Sequence, residues 1–338
     1  MANIAGQRQV QIGDEASGWG NNAAPTVELS GIDPSSISIP PSIVTQIVRA
    51  ARGGIVPGRD TIDVRHEVSG VSLGGHVIYE QIPYFLEMLD EVSPTGSGPY
   101  TYPYVSPLAS QVTPRPQTLV MGVGNAVFGI TSACAASMSF EWSWGEPLMW
   151  NAELMGYDVV ADAFAALDEA ASSSLTYAIA SQCTVYIDAL AGTLGSTAFS
   201  KVLSGNLEIN CNRQYLRRSG SLYPAGVYDS PYWDITGTLV LEEDATSAGY
   251  ADAIIAGATS KLLRIKFTNG EAAADERSLT FDIAALVHVE DLMTDDNDLS
   301  TVELSFEPIE EGDWTSAGSG EIDGYFEVAA VNNTSSLY

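Results

Sequence analysis

Apolar and polar residues alternate along most of this chain, the pattern of strands buried on one face and wet on the other. Within DVRHEVSGVSLGGHVIYE, Val71, Leu73, Val77 and Tyr79 alternate with Ser72, Gly74, His76 and Glu80. Met138, Phe140, Trp142 and Trp144 oppose Ser137, Ser139, Glu141 and Ser143, which puts Trp144 on the apolar face. Leu148, Trp150, Ala152 and Leu154 oppose Met149, Asn151 and Glu153. In WDITGTLVLEED, Ile235, Leu239 and Leu241 oppose Asp234, Thr236, Thr238 and Glu242, and near the end Val302, Leu304 and Phe306 oppose Glu303, Ser305 and Glu307. Further strands are predicted over 10–12, up to Leu29, and over 119–128, 130–141, 262–267 and 279–289. Helical spacing is confined to three short stretches. Pro83 stands at a first-turn position before Phe85, Leu86 and Leu89, Ser247 is a cap before Tyr250, Ile254 and Ile255, and Asp158 caps 158–171 with Val160, Phe164 and Leu167 on one stripe.

The pattern returns. VQIGDEASGWGNNAAPTVELSG at 10–31 is echoed by VYIDALAGTLGSTAFSKVLSG at 185–205: Ile12 and Gly20 reappear as Ile187 and Gly195, and Leu29-Ser30-Gly31 as Leu203-Ser204-Gly205. Each copy is followed by a long loop, a strand, a short helix and more strands, so the chain is predicted to hold two copies of one unit. The boundaries are a first β unit over 1–157, a helical and Ser-rich linker over 158–180, a second β unit over 181–309, and a C-terminal extension over 310–338. The tail from 308 onward holds six carboxylates and no Lys or Arg, and has no counterpart in the first copy. Residues 35–57, bracketed and broken by Pro34, Pro40, Pro41 and Pro57, are expected to be a long loop, and the proline-rich 93–117 a surface loop. Leu262 to Phe267 is followed by Asn269-Gly270, a hairpin-type turn signal.

Charge narrows the function classes. Forty-three Asp and Glu against fourteen Lys and Arg give a formal net charge of −29, yet 45% of the chain is hydrophobic, so this is a folded protein with an acidic surface. Such a surface disfavours nucleic-acid binding through phosphate contacts. Half of the fourteen basic residues fall in two corresponding segments, Arg49, Arg52, Arg59 and Arg65 in the first copy and Arg213, Arg217 and Arg218 in the second. That placement marks Arg49, Arg52, Arg59, Arg213, Arg217 and Arg218 as candidate inter-subunit or inter-ring contacts, docking on an acidic face of a neighbouring copy. Scattered surface arginine is the alternative.

Chemistry is scarce. Gly70-Val71-Ser72-Leu73-Gly74 matches GxSxG, but a strand continues beyond it where a nucleophile elbow needs a helix. Asp295-Asp296-Asn297-Asp298 lacks the spacing of a calcium loop and is expected to be a solvated turn. His66, His76 and His288 have no partner at zinc-ligand spacing, and Cys134, Cys183 and Cys211 are expected to be small buried hydrophobes. No cofactor, metal or catalytic residue is expected. The N-terminus has no signal-peptide core, and no run reaches membrane-spanning length.

GDEASGWGNNAAPTVELSGID, VSGVSLGGHVIYEQIPYFLEMLDE followed by SPTGSGPYTYPY, WDITGTLVLEED and STVELSFEPI, in that order over about residues 10–309, resemble the major tail tube proteins of phages, in the two-copy form found in non-contractile tails. The resemblance implies a mainly β fold, two tandem sandwich-like or barrel-like units each with a short flanking helix, closing into rings that stack into a hollow tube for DNA. Six units of about four strands give about 24 strands and a backbone diameter of roughly 45 to 50 Å. With two units per chain, the ring is expected to be a homotrimer of pseudo-six-fold symmetry. The polar faces would line the bore, the candidates being Ser139, Glu141, Asn151, Glu153, Glu208, Thr236, Thr238, Glu303 and Glu307. The same alternation fits the outer face of an ordinary sandwich. Expected partners are further copies of the chain, tape-measure, tail-tip and tail-terminator proteins, and double-stranded DNA that passes without specific binding. The expected location is the virion tail, assembled in the host cytoplasm. The other reading is a carbohydrate-binding or adhesive β-sandwich module, with Trp142, Trp144, Trp150 and Trp233 as stacking platforms.

Overall fold

The structure is a computed structural model. It describes residues 8–15, 18–50, 58–106, 114–124, 126–167, 175–190, 192–229, 233–244, 247, 249, 259–271, 275–296, 299–309, 322, 324–335 and 337, with the backbone alone at 47–50, 58–61, 259 and 291–296. The fold is mainly β. In chain order its elements are β1 (Gln9–Asp14), β2 (Val27–Leu29), β3 (Ile43–Ala50), β4 (Gly58–His66), β5 (Val68–His76), the helix α1 (Ile82–Leu86), β6 (Tyr100–Val105), β7 (Gln117–Val123), β8 (Ala126–Ser143), β9 (Met149–Gly156) and β10 (Asp158–Ala161). They continue with β11 (Cys183–Ala189), β12 (Ala198–Phe199), β13 (Val202–Asn210), β14 (Gln214–Leu216), β15 (Gly226–Tyr228), β16 (Asp234–Glu242), β17 (Thr259–Thr268), β18 (Ser278–Asp296), β19 (Leu299–Pro308) and β20 (Phe326–Asn332).

One 16-stranded antiparallel sheet runs through the molecule. Its central layer has the order β5, β9, β8, β13, β16, β19, β18, and the joint between β8 and β13 makes the two halves of the chain one sheet. The long strands β8 and β18 leave this layer to form two flaps. The first half of β8 lies between β7 and β10, with β1 and β2 beyond β7. The first half of β18 lies between β17 and β20, with β11 and β12 beyond β17 and β6 beyond β20. The two flaps are assembled by the same succession of pairings.

The core fills the space between the central layer and the flaps. Phe140 of β8 packs on Phe281 of β18 at 4.8 Å between ring centroids, and Trp142 meets Phe267 of β17 edge-on at 5.5 Å. These contacts join the halves in one apolar cluster. All five residues of α1 are buried, Pro83 sits in its first turn as expected, and Phe85 lies on Trp150 at 4.1 Å. Two small ribbons, β3–β4 and β14–β15, stand outside the main sheet.

Several expectations fail for identifiable reasons. Part of the stretch 35–57 is not loop but the strand β3, paired with β4; Pro40 and Pro41 precede it, and 51–57 lie outside the described residues. Within 93–117, Tyr100–Val105 is a strand on β20, where an edge position tolerates Pro103 while Tyr102 and Tyr104 are buried. Asp158–Ala161, expected to open a helix, is strand β10 on β8, and 168–174 lie outside the described residues. The acidic extension over 310–338 contains β20, inserted between β18 and β6 with Phe326, Val328 and Ala330 buried; β20 follows β19 as β10 follows β9. Ser247 is not the helix cap: Asp244 Oδ1 accepts from Ser247 N at 2.9 Å while Ser247 Oγ accepts from Asp244 N at 2.8 Å, a reciprocal box with Asp244 as the cap. Tyr250, Ile254 and Ile255 lie outside the described residues.

Candidate functional site

Register turns the alternation of single strands into one surface. In an antiparallel sheet, residues directly opposite one another share a face. Gly74, Asn151, Ser139, Glu208 and Thr236 form one such row across β5, β9, β8, β13 and β16. A second row runs Ser72, Glu153, Ser137, Asn210, Asp234, and a third His76, Met149, Glu141, Asn206, Thr238, Ser305, His288. A fourth joins Ser143, Ser204, Val240 and Glu303, and Glu307 lies opposite Leu286. All nine polar residues singled out in the sequence therefore stand on one face of the central layer, none of them buried. Ser72, Asn206, Asn210, Asp234, Ser305 and His288 belong to the same face and were not singled out, although the same period-two spacing marks them.

The charge of this face is one-sided. No strand of the central layer contains Lys or Arg. Glu141 faces Asn206 and Met149, Glu153 faces Ser72 and Ser137, and Glu208 faces Ser139 and Thr236, so no two of these carboxylates are directly opposed. His288 Nε2 lies 3.4 Å from Glu307 Oε1. The basic side chains are used elsewhere. Arg115 holds Asp14 through two bonds of 2.8 and 2.7 Å, Arg264 holds Asp282 at 2.7 and 2.8 Å, and Arg277 reaches Glu80 at 3.0 Å.

The arginines expected at subunit contacts divide. Arg213 is fully buried, its guanidinium bonded to Asp229 at 2.5 and 2.8 Å and to the carbonyls of Met88, Ala135 and Leu89 at 2.7, 2.7 and 2.8 Å. It is an internal clamp, buried within its own chain. Arg217 is exposed but engages both oxygens of Glu67, at 2.9 and 3.0 Å, with Arg65 also on Glu67 at 2.8 Å. Arg218 is exposed. Arg49 and Arg59 stand directly opposite each other near the tip of the β3–β4 ribbon; their side chains and all of Arg52 lie outside the described residues.

Both ribbons leave the central layer at the same end. β4 runs into β5 at Val68, and β14–β15 lies between the end of β13 and the start of β16, where Asn210 faces Asp234. Exposed large apolar residues collect there: Ile43, Ile62 and Val64 on the first ribbon, Leu216 and Tyr228 on the second, with Leu222 in its loop. The opposite end, at the β8–β9 turn and the start of β19, exposes Trp144, Tyr177, Ile179 and Leu299. Trp144 is 76% exposed because β8 ends at Ser143 and the chain turns before the alternation reaches it.

The decoys resolve. Ser72 lies mid-strand in β5 and its hydroxyl donates to Ser36 O at 2.6 Å. Asp295 and Asp296 are the last ladder residues of β18, and 297–298 lie outside the described residues. The cysteines are free, Cys134 and Cys211 buried and Cys183 partly so; burial pushes the Cys134 thiol up to about 11 and the other two up to about 12. Among the described residues, no cluster of His, Cys, Asp or Glu could hold a metal ion, and no helix is long and apolar enough to cross a membrane.

A continuous polar face free of Lys and Arg, backed by a shared core and flanked by two apolar ends, belongs to a building block rather than a reaction centre. The sequence matches the phage tail tube protein family over residues 6–308. The chain belongs to that family. It is a structural component of the phage tail that self-assembles into a tube, and not an enzyme. None of the curated proteins compared matches this tail tube protein.

Proposed function

We propose that this tail tube protein forms stacked rings with the polar face of the central layer turned inward as the wall of a conduit for DNA. The observation that carries the reading is the charge of that face, where Glu141, Glu153, Glu208, Asp234, Glu303 and Glu307 meet no Lys or Arg on any strand of the layer. An anionic wall repels phosphates and offers no counterion-release gain for binding, so DNA slides. Screening confines that field to about 8 Å at physiological salt, which makes the wall a short-range lubricant.

The two halves are proposed as two copies of one unit, because β8 and β18 sit in the same pattern of neighbours. A ring of six units then needs three chains. The ribbons β3–β4 and β14–β15 would carry the stacking contact, their apolar residues and Arg49, Arg59 and Arg218 meeting the opposite end of the next ring, with its Trp144 and the end of β18 at Asp295 and Asp296. Tape-measure, tail-tip and tail-terminator proteins would contact the same two ends, and assembly would take place in the host cytoplasm. Of the four tryptophans the adhesive-module reading would use, Trp142, Trp150 and Trp233 are buried, which leaves it Trp144 alone.

Electron microscopy of the purified protein at raised concentration tests this. Hollow filaments with three chains per ring are the expected result. Six chains per ring would keep the conduit and reject the two-unit geometry, and compact monomers beside tails that contain no such tube would reject both.

A further inference from the structure

Within the central layer the halves of the chain meet at β8·β13, and among the described residues two edges of that layer are left from which such a joint could be made again. We infer that successive chains in a ring are joined through β18 of one and residues 38–44 of the next, in the register of the internal β8·β13 joint. The inference rests on the ring reading above and assigns its interface.

The first edge follows from the neighbours of β8 and β18. On one side of β8, the ladder with β7 ends at Ala133, opposite Gln117, and from Ser137 onward β13 takes over. On the matching side of β18, the ladder with β17 ends at Val287, opposite Thr259, and beyond it no described strand takes over. The positions correspond through the next strand. Ser137 and Asp291 stand opposite Glu153 and Glu303, while Ser139 and Thr294 stand opposite Asn151 and Thr301, each two residues earlier. Thus 291–296 of β18 is the uncovered equivalent of the stretch of β8 that receives β13.

The second edge lies beyond β5. Ser38 is opposite Ser72, which neighbours Glu153, just as Ser204 is opposite Val240, which neighbours Glu303. Ser38 and Ser72 exchange both backbone hydrogen bonds at 3.1 Å, and Ser42 O accepts from Glu67 N at 2.9 Å. Residues 38 and 42 therefore turn their backbone groups toward β5 and its continuation. By alternation from Ser38 and Ser42, Ile39, Pro41 and Ile43 would turn theirs away, to a side where no described strand pairs. Residues 38–44 are thus to β5 what β13 is to β16.

The register is fixed by substitution. Glu208 faces Ser139 and Asn210 faces Ser137 in the internal joint. The equivalent pairs between chains are Ser42 with Thr294 and Val44 with Asp291. Because the two edges differ, the contact is head-to-tail, the kind that closes into rings. Pro41 contributes no N–H on its outward side, so this ladder lacks one donor and the edge is blunted until assembly brings a matching strand.

The test uses tubes, self-assembled or taken from tails, and free subunits of the full chain. In wild-type protein, amide exchange at Ile39, Ile43 and 291–296 slows by about tenfold or more on assembly. In tubes of the Ser42→Cys/Thr294→Cys variant, mild oxidation links one chain to the next, whereas either single variant does not, and Ser139→Cys/Glu208→Cys closes within one chain as the benchmark. Tubes in which the benchmark closes but neither chain linkage nor new protection appears would overturn the assignment while leaving the tube intact. Failure of the wild-type chain to occur in tubes at all would instead sink the underlying reading.

Discussion

Gly205 of β13 lies directly opposite Trp142 of β8, and a Cβ on that glycine would stand 2.4 Å from the indole Cζ2 and 2.9 Å from Thr238 O. The glycine is required by close approach, not by its backbone angles. Trp142 in turn packs on Phe267, so the joint between halves and the core share one side chain. Gly205→Ala is expected to destabilise the chain by roughly 1–3 kcal/mol through overpacking, read as a lower denaturant midpoint with unchanged slope. An unchanged midpoint would mean that the indole has room to move and that the joint is looser than its geometry implies.

Arg213 gives a second, larger expected effect. Its guanidinium and the Asp229 carboxylate are both inaccessible to solvent, and it donates to three carbonyls from α1's exit and from β8. Arg213→Met takes the guanidinium away from a buried carboxylate and is expected to cost about 3–5 kcal/mol. Adding Asp229→Leu removes that buried charge as well and should recover part of the loss. Urea unfolding of the single and double variants checks this; a double variant as damaged as the single would place the cost in the lost bonds to the carbonyls.

Much of this was legible from spacing and some of it could not be. Period two is a local property, so Glu141, Glu153, Glu208 and Glu303 could be assigned to a polar face strand by strand. That those faces are one surface depends on the β8·β13 register, which is tertiary. Ile12 and Ile187 occupy matching places in β1 and β11, opposite Leu119 and Leu263, and Gly20 and Gly195 both have positive φ. Leu29 and Leu203 do not match: Leu29 pairs with Val10 in the first flap while Leu203 belongs to the central layer, and in the second flap Phe199 takes the place beside Val185. Val160, Phe164 and Leu167 mimicked a helical stripe by chance, and the carboxylates around β20 masked the alternation of Phe326, Val328 and Ala330. The burial of Arg213 is set by Asp229 and by carbonyls distant in sequence, which no motif announces.

Glu87 makes stability depend on pH. It follows α1, is almost wholly buried, and faces Arg115 Nη1 at 3.5 Å, with Glu91 and Asp14 sharing the same arginine. Burial pushes its carboxyl up to about 7, against the pull of Arg115. A raised folded value means that the native state keeps a proton the unfolded chain releases. Its contribution is complete below about 4.5 and is lost as pH rises through about 7, by up to about 3 kcal/mol. Glu87→Gln is expected to flatten that part of the profile and to leave the protein more stable than wild type at pH 8. Unfolding midpoints at pH 5 and pH 8 for both proteins decide it; parallel profiles would show that Arg115 holds Glu87 ionised throughout.

The charge of the polar face is the property that function rests on, and it can be inverted without touching the core. Glu141, Glu153 and Glu208 lie on adjacent strands, in neighbouring rows, with uncharged residues opposite them. Glu141→Lys, Glu153→Lys and Glu208→Lys together should leave folding nearly unchanged, since exposed substitutions on a sheet face cost little. If this face lines the bore, tubes of the triple variant should retain double-stranded DNA that wild-type tubes release. For about three phosphates engaged, retention should weaken by roughly 40-fold between 50 and 200 mM salt. Sedimentation of tubes with labelled DNA fragments at stepped salt measures it. Equal binding by closed tubes and by free subunits would instead place the face on the outside, and the conduit would then need another wall.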